Sequence, residues 1–124
     1  MARRIGARRS AAKSGDAPDA GDLVWLSFTP HAGREQAGRR PGLVLSPRAY
    51  NFKVGLCLVC PITNQAKGYS FEVKLPTSSP ISGVVLADHL RSADWQTRGC
   101  ERIASVSQDV MDEVRAKLKP LLGM

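Results

Sequence analysis

A chain of 124 residues and 13.4 kDa has room for one compact domain, and its longest apolar run falls far below the roughly 18 residues that span a bilayer, which excludes a transmembrane protein. With 43% hydrophobic and 23% charged residues the composition is that of a globular chain. Its 18 Lys and Arg against 11 Asp and Glu give a formal charge of +7, which favours a polyanionic partner such as nucleic acid, an anionic surface or an acidic protein.

Residues 1–20 carry Arg3, Arg4, Arg8, Arg9 and Lys13 against Asp16 and Asp19, and apart from Met1 their only large apolar side chain is Ile5. Such a segment cannot bury enough surface to offset its ordering, so a disordered Arg-rich tail is expected over 1–20 and a folded domain over 21–124. A solvated arm accounts for this composition, and an electrostatic arm for RNA or DNA is the functional alternative. No apolar stretch follows the Arg cluster, so a secretory signal is not expected.

Leu23 to Phe28 reads as a strand with Val24, Leu26 and Phe28 on one face, closed by Thr29-Pro30. Trp25 lies in this apolar run and is expected in the core. Residues 31–41 hold two glycines, a proline and four charges without periodicity, which indicates a functional loop. Leu43–Ser46 resumes as a strand, Pro47–Gly55 reads as a turn, and Leu56–Pro61 gives the next strand before a polar loop over Ile62–Tyr69. Phe71, Val73 and Leu75 alternate with charged residues as a half-buried strand does, and Gly83–Asp88 and Glu101–Val106 read as later strands. From Ser107 the period changes: Val110, Met111, Val114, Leu118 and Leu121 or Leu122 form a helical stripe, capped by Ser105 or Ser107 and ended or kinked by Pro120. Short strands with one terminal helix predict a small curled sheet or barrel.

Cys57, Cys60 and Cys100 are an odd number without a secretory signal, which fits a reducing, cytoplasmic setting better than a disulfide framework. Cys57 and Cys60 form a C-x-x-C, but in a strand residues three apart point to opposite faces. Two buried thiols are expected there, and no metal site.

No metal-ligand spacing, phosphate-cradling glycine loop or nucleophile elbow is present. The chemistry-bearing residues gather in two loops, 34–41 and 61–69, which combine cations, a carboxylate or hydroxyl, and amides. That mixture suits RNA cleavage without a metal, in which a 2′-hydroxyl attacks the adjacent phosphate, a base takes its proton and donors stabilise the phosphorane. An Arg fork holds two phosphate oxygens, Thr63 has a hydroxyl to donate, and Glu35 is the nearest carboxylate in sequence. Arg34, Gln36, Arg39, Asn64, Gln65 and Lys67, with Trp95 in a polar segment, are the candidate RNA contacts.

Gly21-Asp22-Leu23-Val24-Trp25, Glu35-Gln36-Ala37-Gly38-Arg39-Arg40-Pro41, Leu45-Ser46-Pro47, Tyr50-Asn51, Lys67-Gly68-Tyr69, Gly83 to Asp88 and Ser92 to Trp95 resemble, in this order, the MazF/PemK toxin family over residues 21–123. The resemblance implies an SH3-like barrel acting as a homodimer, without cofactor or metal, as a ribosome-independent endoribonuclease that cuts single-stranded RNA at short sequences. It implies a cognate antitoxin whose acidic segment orders on binding, and that binding is expected to weaken with salt. It also carries the catalytic pair onto Arg40 and Thr63, with Glu35 in support; the general base stays open between Glu35 and a water. Two positions depart from the family pattern: Arg39 stands where relatives often have His, and Leu86 stands where one branch has an Arg acting with the residue matching Asp88. A gyrase poison on the same fold and a barrel that only binds RNA or an acidic peptide are the alternatives. Gyrase poisons depend on a Trp close to the C-terminus, where this chain has Leu121-Leu122-Gly123-Met124.

Overall fold

The computed structural model describes residues 13–28 and 38–124. Seven short strands and two helices follow in order: β1 (Asp22–Ser27), β2 (Arg39–Val44), α1 (Arg48–Val54), β3 (Leu56–Thr63), β4 (Glu72–Lys74), β5 (Val84–Leu86), β6 (Arg91–Asp94), β7 (Glu101–Ser105) and α2 (Gln108–Leu121). The strand pairings among the described residues are antiparallel and run β4-β5-β3-β2-β1-β7. β3 is the spine: one edge pairs with β2, while its other edge pairs first with β6, at Leu56 to Val59, and then with β5, at Ile62 and Thr63.

Alternation along the strands feeds two cores, one on each side of the sheet. Leu23, Leu43, Cys60, Ile62, Val73 and Val85 pack under α2, whereas their neighbours Val24, Val44 and Val59 join Leu26, Phe28, Cys57, Ala93 and Trp95 on the opposite side. Cys57 and Cys60 therefore lie in different cores, as strand geometry requires. The result is mainly β with a C-terminal helix, the small barrel-like class that the strand pattern predicts.

Ser107 caps α2, its Oγ accepting the Val110 N–H at 3.5 Å. Val110, Met111, Val114 and Leu118 are buried, each worth about 1.5–3 kcal/mol when fully covered. The apolar stripe stops there: Leu121 and Leu122 are exposed, and Pro120 sits in the last turn.

Three elements differ from the sequence expectation. Pro47–Gly55, read as a turn, contains the two-turn helix α1, too short to show a periodicity; Gly55 closes it at φ 83°. Its Asn51 is fully buried, donating from Nδ2 to Pro18 O (2.8 Å) and Ser46 O (2.9 Å) and accepting from Ser46 Oγ (2.6 Å). β6 was hidden by its polar sequence. Of the expected tail, residues 1–12 lie outside the described residues, but 13–20 are structured, with a 3-10 turn at Ser14–Asp16 and Ala17 and Pro18 buried. Hydrogen bonding, which composition does not register, holds this segment: Arg48 Nε donates to Ala17 O at 3.0 Å, and Arg48 N to Asp19 Oδ1 at 2.8 Å.

Candidate active site

The register of β1, β2 and β3 decides which side chains meet. Arg40 pairs with Leu26, Pro61 with Gly42, Thr63 with Val84 and Arg91 with Val59, so all of them lie on the Leu26–Val59 face of the sheet. Where the apolar residues of that face end, these polar ones continue it and line an open cleft of about 520 Å³. Phe28 and Leu86 join them, and Gln65, Lys67 and Tyr69 enter from the loop after β3, Glu72 from β4, and Asp88 and His89 from a 3-10 turn (Ala87–His89) after β5.

The cleft is held by contacts among its own walls. Gln65 N–H donates to Thr63 Oγ1 at 3.1 Å, which leaves the hydroxyl proton free to donate to a ligand. The Glu72 carboxylate accepts the N–H groups of Lys67 and Gly68, both at 2.9 Å, and so fixes the loop that carries Lys67 and Tyr69. The Arg91 guanidinium stacks 5.6 Å from the Phe28 ring centroid. Gly83, at φ 121°, lets β5 approach Thr63: a Cβ there would stand 2.3 Å from Thr63 O. Gly42 has the same role beneath β2, where a Cβ would meet Val59 at 2.8 Å and the Phe28 ring at 3.0 Å.

At the mouth, Phe28 N–H donates to Gly38 O at 2.8 Å. Arg98 Nη1 donates to Ser27 O (3.1 Å) and Phe28 O (2.9 Å), clamping the end of β1.

Of the residues singled out from sequence, the structure brings Arg40, Thr63, Gln65 and Lys67 into one cleft. Arg34, Glu35 and Gln36 lie outside the described residues. Arg39 is absent from the cleft; it is on the other face, where its Nη2 donates to Glu101 Oε1. Asn64 accepts the Ser82 hydroxyl at 3.0 Å and does not line the cleft. The two tryptophans exchange their expected places. Trp95 is 5% exposed, with Nε1 donating to Asn51 O at 2.8 Å, which removes it from the candidate RNA contacts; Trp25 is 37% exposed. Trp95 ends a strand whose alternation a polar composition conceals, and Trp25 lies on the α2 side of the sheet, opposite Glu101 and beyond the helix's cover. Sequence reasoning missed Phe28, Glu72, Arg91 and His89 as cleft residues; the alternation of the paired strands is the signal that carries them.

Burial pushes the Cys57 and Cys60 thiols up to about 12, aided by Cys100 and Asp94 near the first and Asp88 near the second, and pushes Cys100 up to about 11. All three stay neutral near pH 7 and none is poised as a nucleophile. Among the described residues no three His, Cys, Asp or Glu side chains gather to hold a metal ion, and no helix is long and apolar enough to cross a membrane.

Comparison with known proteins matches residues 19–122 to the family described as PemK-like, MazF-like toxin of type II toxin-antitoxin system. The endoribonuclease toxin MazF of Escherichia coli K12 is 46% identical over 106 residues, covering 86% of this chain and 95% of that one. A crystal structure of MazF from Deinococcus radiodurans is 62% identical, with a TM-score of 0.80 over 87% of this chain and 98% of its own. A MazE–MazF crystal structure from the same organism is 60% identical, with a TM-score of 0.81 over the same shares. The chain belongs to the PemK-like, MazF-like toxin family of type II toxin–antitoxin systems.

Proposed function

We propose that this chain is the toxin of a type II toxin–antitoxin pair: a cytoplasmic, ribosome-independent endoribonuclease that cuts single-stranded RNA at short sequences and so blocks translation and growth. The observation that carries the reading is the meeting of the Arg40 guanidinium and the Thr63 hydroxyl in one cleft beside Lys67 and Arg91. Family membership and the relatives' names as endoribonuclease toxins support it.

A phosphodiester entering the cleft meets a bidentate donor in Arg40, a hydroxyl donor in Thr63 and ammonium charge from Lys67. These donors act where negative charge grows on the phosphoryl oxygens as the 2′-hydroxyl attacks, the stage at which electrostatic stabilisation accelerates reaction. The charge stabilisation comes from the chain's own cations, so the reaction needs no metal. Gln65 and Tyr69 stand at the rim, where an amide and an aromatic ring suit contacts to unstacked bases.

The toxin works as a homodimer, and its antitoxin inserts an acidic segment along the basic cleft. The exposed apolar side chains Trp25, Tyr50, Phe52 and Val54 support such interfaces, as do the complexes of MazF relatives with MazE. Mapping cleavage sites on a long RNA in excess chelator, with wild type and Arg40→Ala, tests the reading. Discrete sites cut by the wild type and lost in the variant are expected; intact RNA with the wild type overturns it.

A further inference from the structure

Building on the endoribonuclease reading, we propose that His89 is a further catalytic residue of the cleft, the proton donor to the departing 5′-oxygen, and that Asp88 is its positioning partner. Attack by the 2′-hydroxyl forms the O2′–P bond and breaks P–O5′. The hydroxyl proton passes to a base, the leaving oxygen takes a proton from the His89 imidazolium, and the products are a 2′,3′-cyclic phosphate and a 5′-hydroxyl. Solvent then reprotonates the ring.

The cleft's other groups do not suit this step. A guanidinium does not give up its proton in proteins, so Arg40 and Arg91 stabilise charge instead. Among side-chain types, imidazole is the one most often used as a general acid, able to give up a proton and recover it from solvent.

The 3-10 turn after β5 brings the imidazole to the cleft. Ala87 is fully buried, its N–H donating to Phe71 O at 3.1 Å and its carbonyl accepting from Cys60 Sγ at 3.8 Å. The root of the turn is thus fixed in the core while its next two residues, Asp88 and His89, line the cleft that holds Arg40 and Thr63. His89 Nε2 stands 3.9 Å from Asp88 Oδ1, with 58% of the His89 side chain open to solvent and substrate. The groups that share the cleft with it are Arg40 from β2, Lys67 and Tyr69 from the loop after β3, Glu72 from β4, Asp88 from its own turn and Arg91 from β6. Of the two carboxylates, Glu72 is engaged by the Lys67 and Gly68 N–H groups, and Asp88 is the one beside the ring.

His89→Gln keeps a polar side chain and removes the transferable proton. On RNA with its natural leaving oxygen, kcat is expected to fall about 100-fold or more, and the wild type's decline at alkaline pH to disappear. A substrate with sulfur in place of the bridging 5′-oxygen leaves without protonation, and both proteins are expected to cleave it within about threefold of each other. Asp88→Asn is expected to slow cleavage of the natural substrate while leaving the sulfur substrate within about threefold of wild type, because the ring loses the neighbour that orients it. Equal rate losses on both substrates, or full activity with an unchanged pH profile, overturn the role of His89 and leave the nuclease reading standing. A wild type that cuts neither substrate overturns both.

Discussion

Arg39 and Arg40 are adjacent in β2 and point to opposite faces of the sheet: Arg39 donates to Glu101 across β1, and Arg40 lines the cleft beside Thr63. Two side chains of the same type therefore have different consequences. Arg40→Ala is expected to lower kcat/KM for RNA cleavage by about 100- to 1,000-fold, the loss typical of one transition-state donor. Arg39→Ala should stay within a few-fold of wild type and alter stability by about 1 kcal/mol at most, since its ion pair is partly exposed. Single-turnover cleavage and thermal midpoints of both variants check this.

Gly83→Ala tests how closely β5 must approach Thr63. The new methyl would meet the Thr63 carbonyl oxygen at 2.3 Å on a backbone at φ 121°, so a loss of roughly 2 kcal/mol or more is expected, along with weakened cleavage. Gly55→Ala is the control. It shares a positive φ of 83° but has open space around it, and should cost about 1 kcal/mol with cleavage unchanged. Denaturant midpoints and cleavage rates measured together separate the two.

Trp95→Phe removes the hydrogen bond to Asn51 O from a buried site and is expected to destabilise the fold by roughly 1–3 kcal/mol while leaving the KM for RNA unchanged in the folded protein. Trp25→Phe should change stability by less than about 0.5 kcal/mol, as substitutions at exposed positions usually do. Urea titrations and steady-state kinetics measure both effects.

The thiols make stability depend on pH. Cys57 and Cys60 stay protonated in the fold up to about 12 because burial disfavours the thiolate, while an ordinary thiol ionises near 9.0. Between those values the unfolded chain gives up protons that the folded chain keeps. This contribution is therefore complete below about pH 9 and is lost as pH rises towards 12. Denaturation at neutral pH and near pH 10.5 should show the drop, and replacing both cysteines with alanine should reduce it.

The strands of alternating residues, the capped C-terminal helix and the opposed cysteines were legible in the sequence, because each rests on a local period that the chain states openly. Arg40, Thr63 and Lys67 were legible as chemistry. Their meeting with Arg91 and His89 was not, since it depends on β3 pairing with β6 along one half and β5 along the other. The tryptophans were misread for two reasons: the polar sequence of β6 conceals the alternation that buries Trp95, and neighbouring residues do not reveal where α2 stops covering the face that carries Trp25. The segment around Ala17 was misread because hydrogen bonds from α1, which composition does not register, hold it in place alongside the burial of Ala17 itself.

The clamp at the end of β1 bears on how this toxin can diversify. Arg98 grips Ser27 and Phe28, and Phe28 is tied to Gly38, so the chain leaves and re-enters the sheet at fixed points. The strand ends on either side of Arg40 are thus held by bonds that no cleft side chain supplies, so the polar lining can change without moving the floor beneath Arg40. Altered RNA preference can then be sought by exchanging Gln65 and Tyr69 at the rim, with the barrel serving as an unchanged chassis.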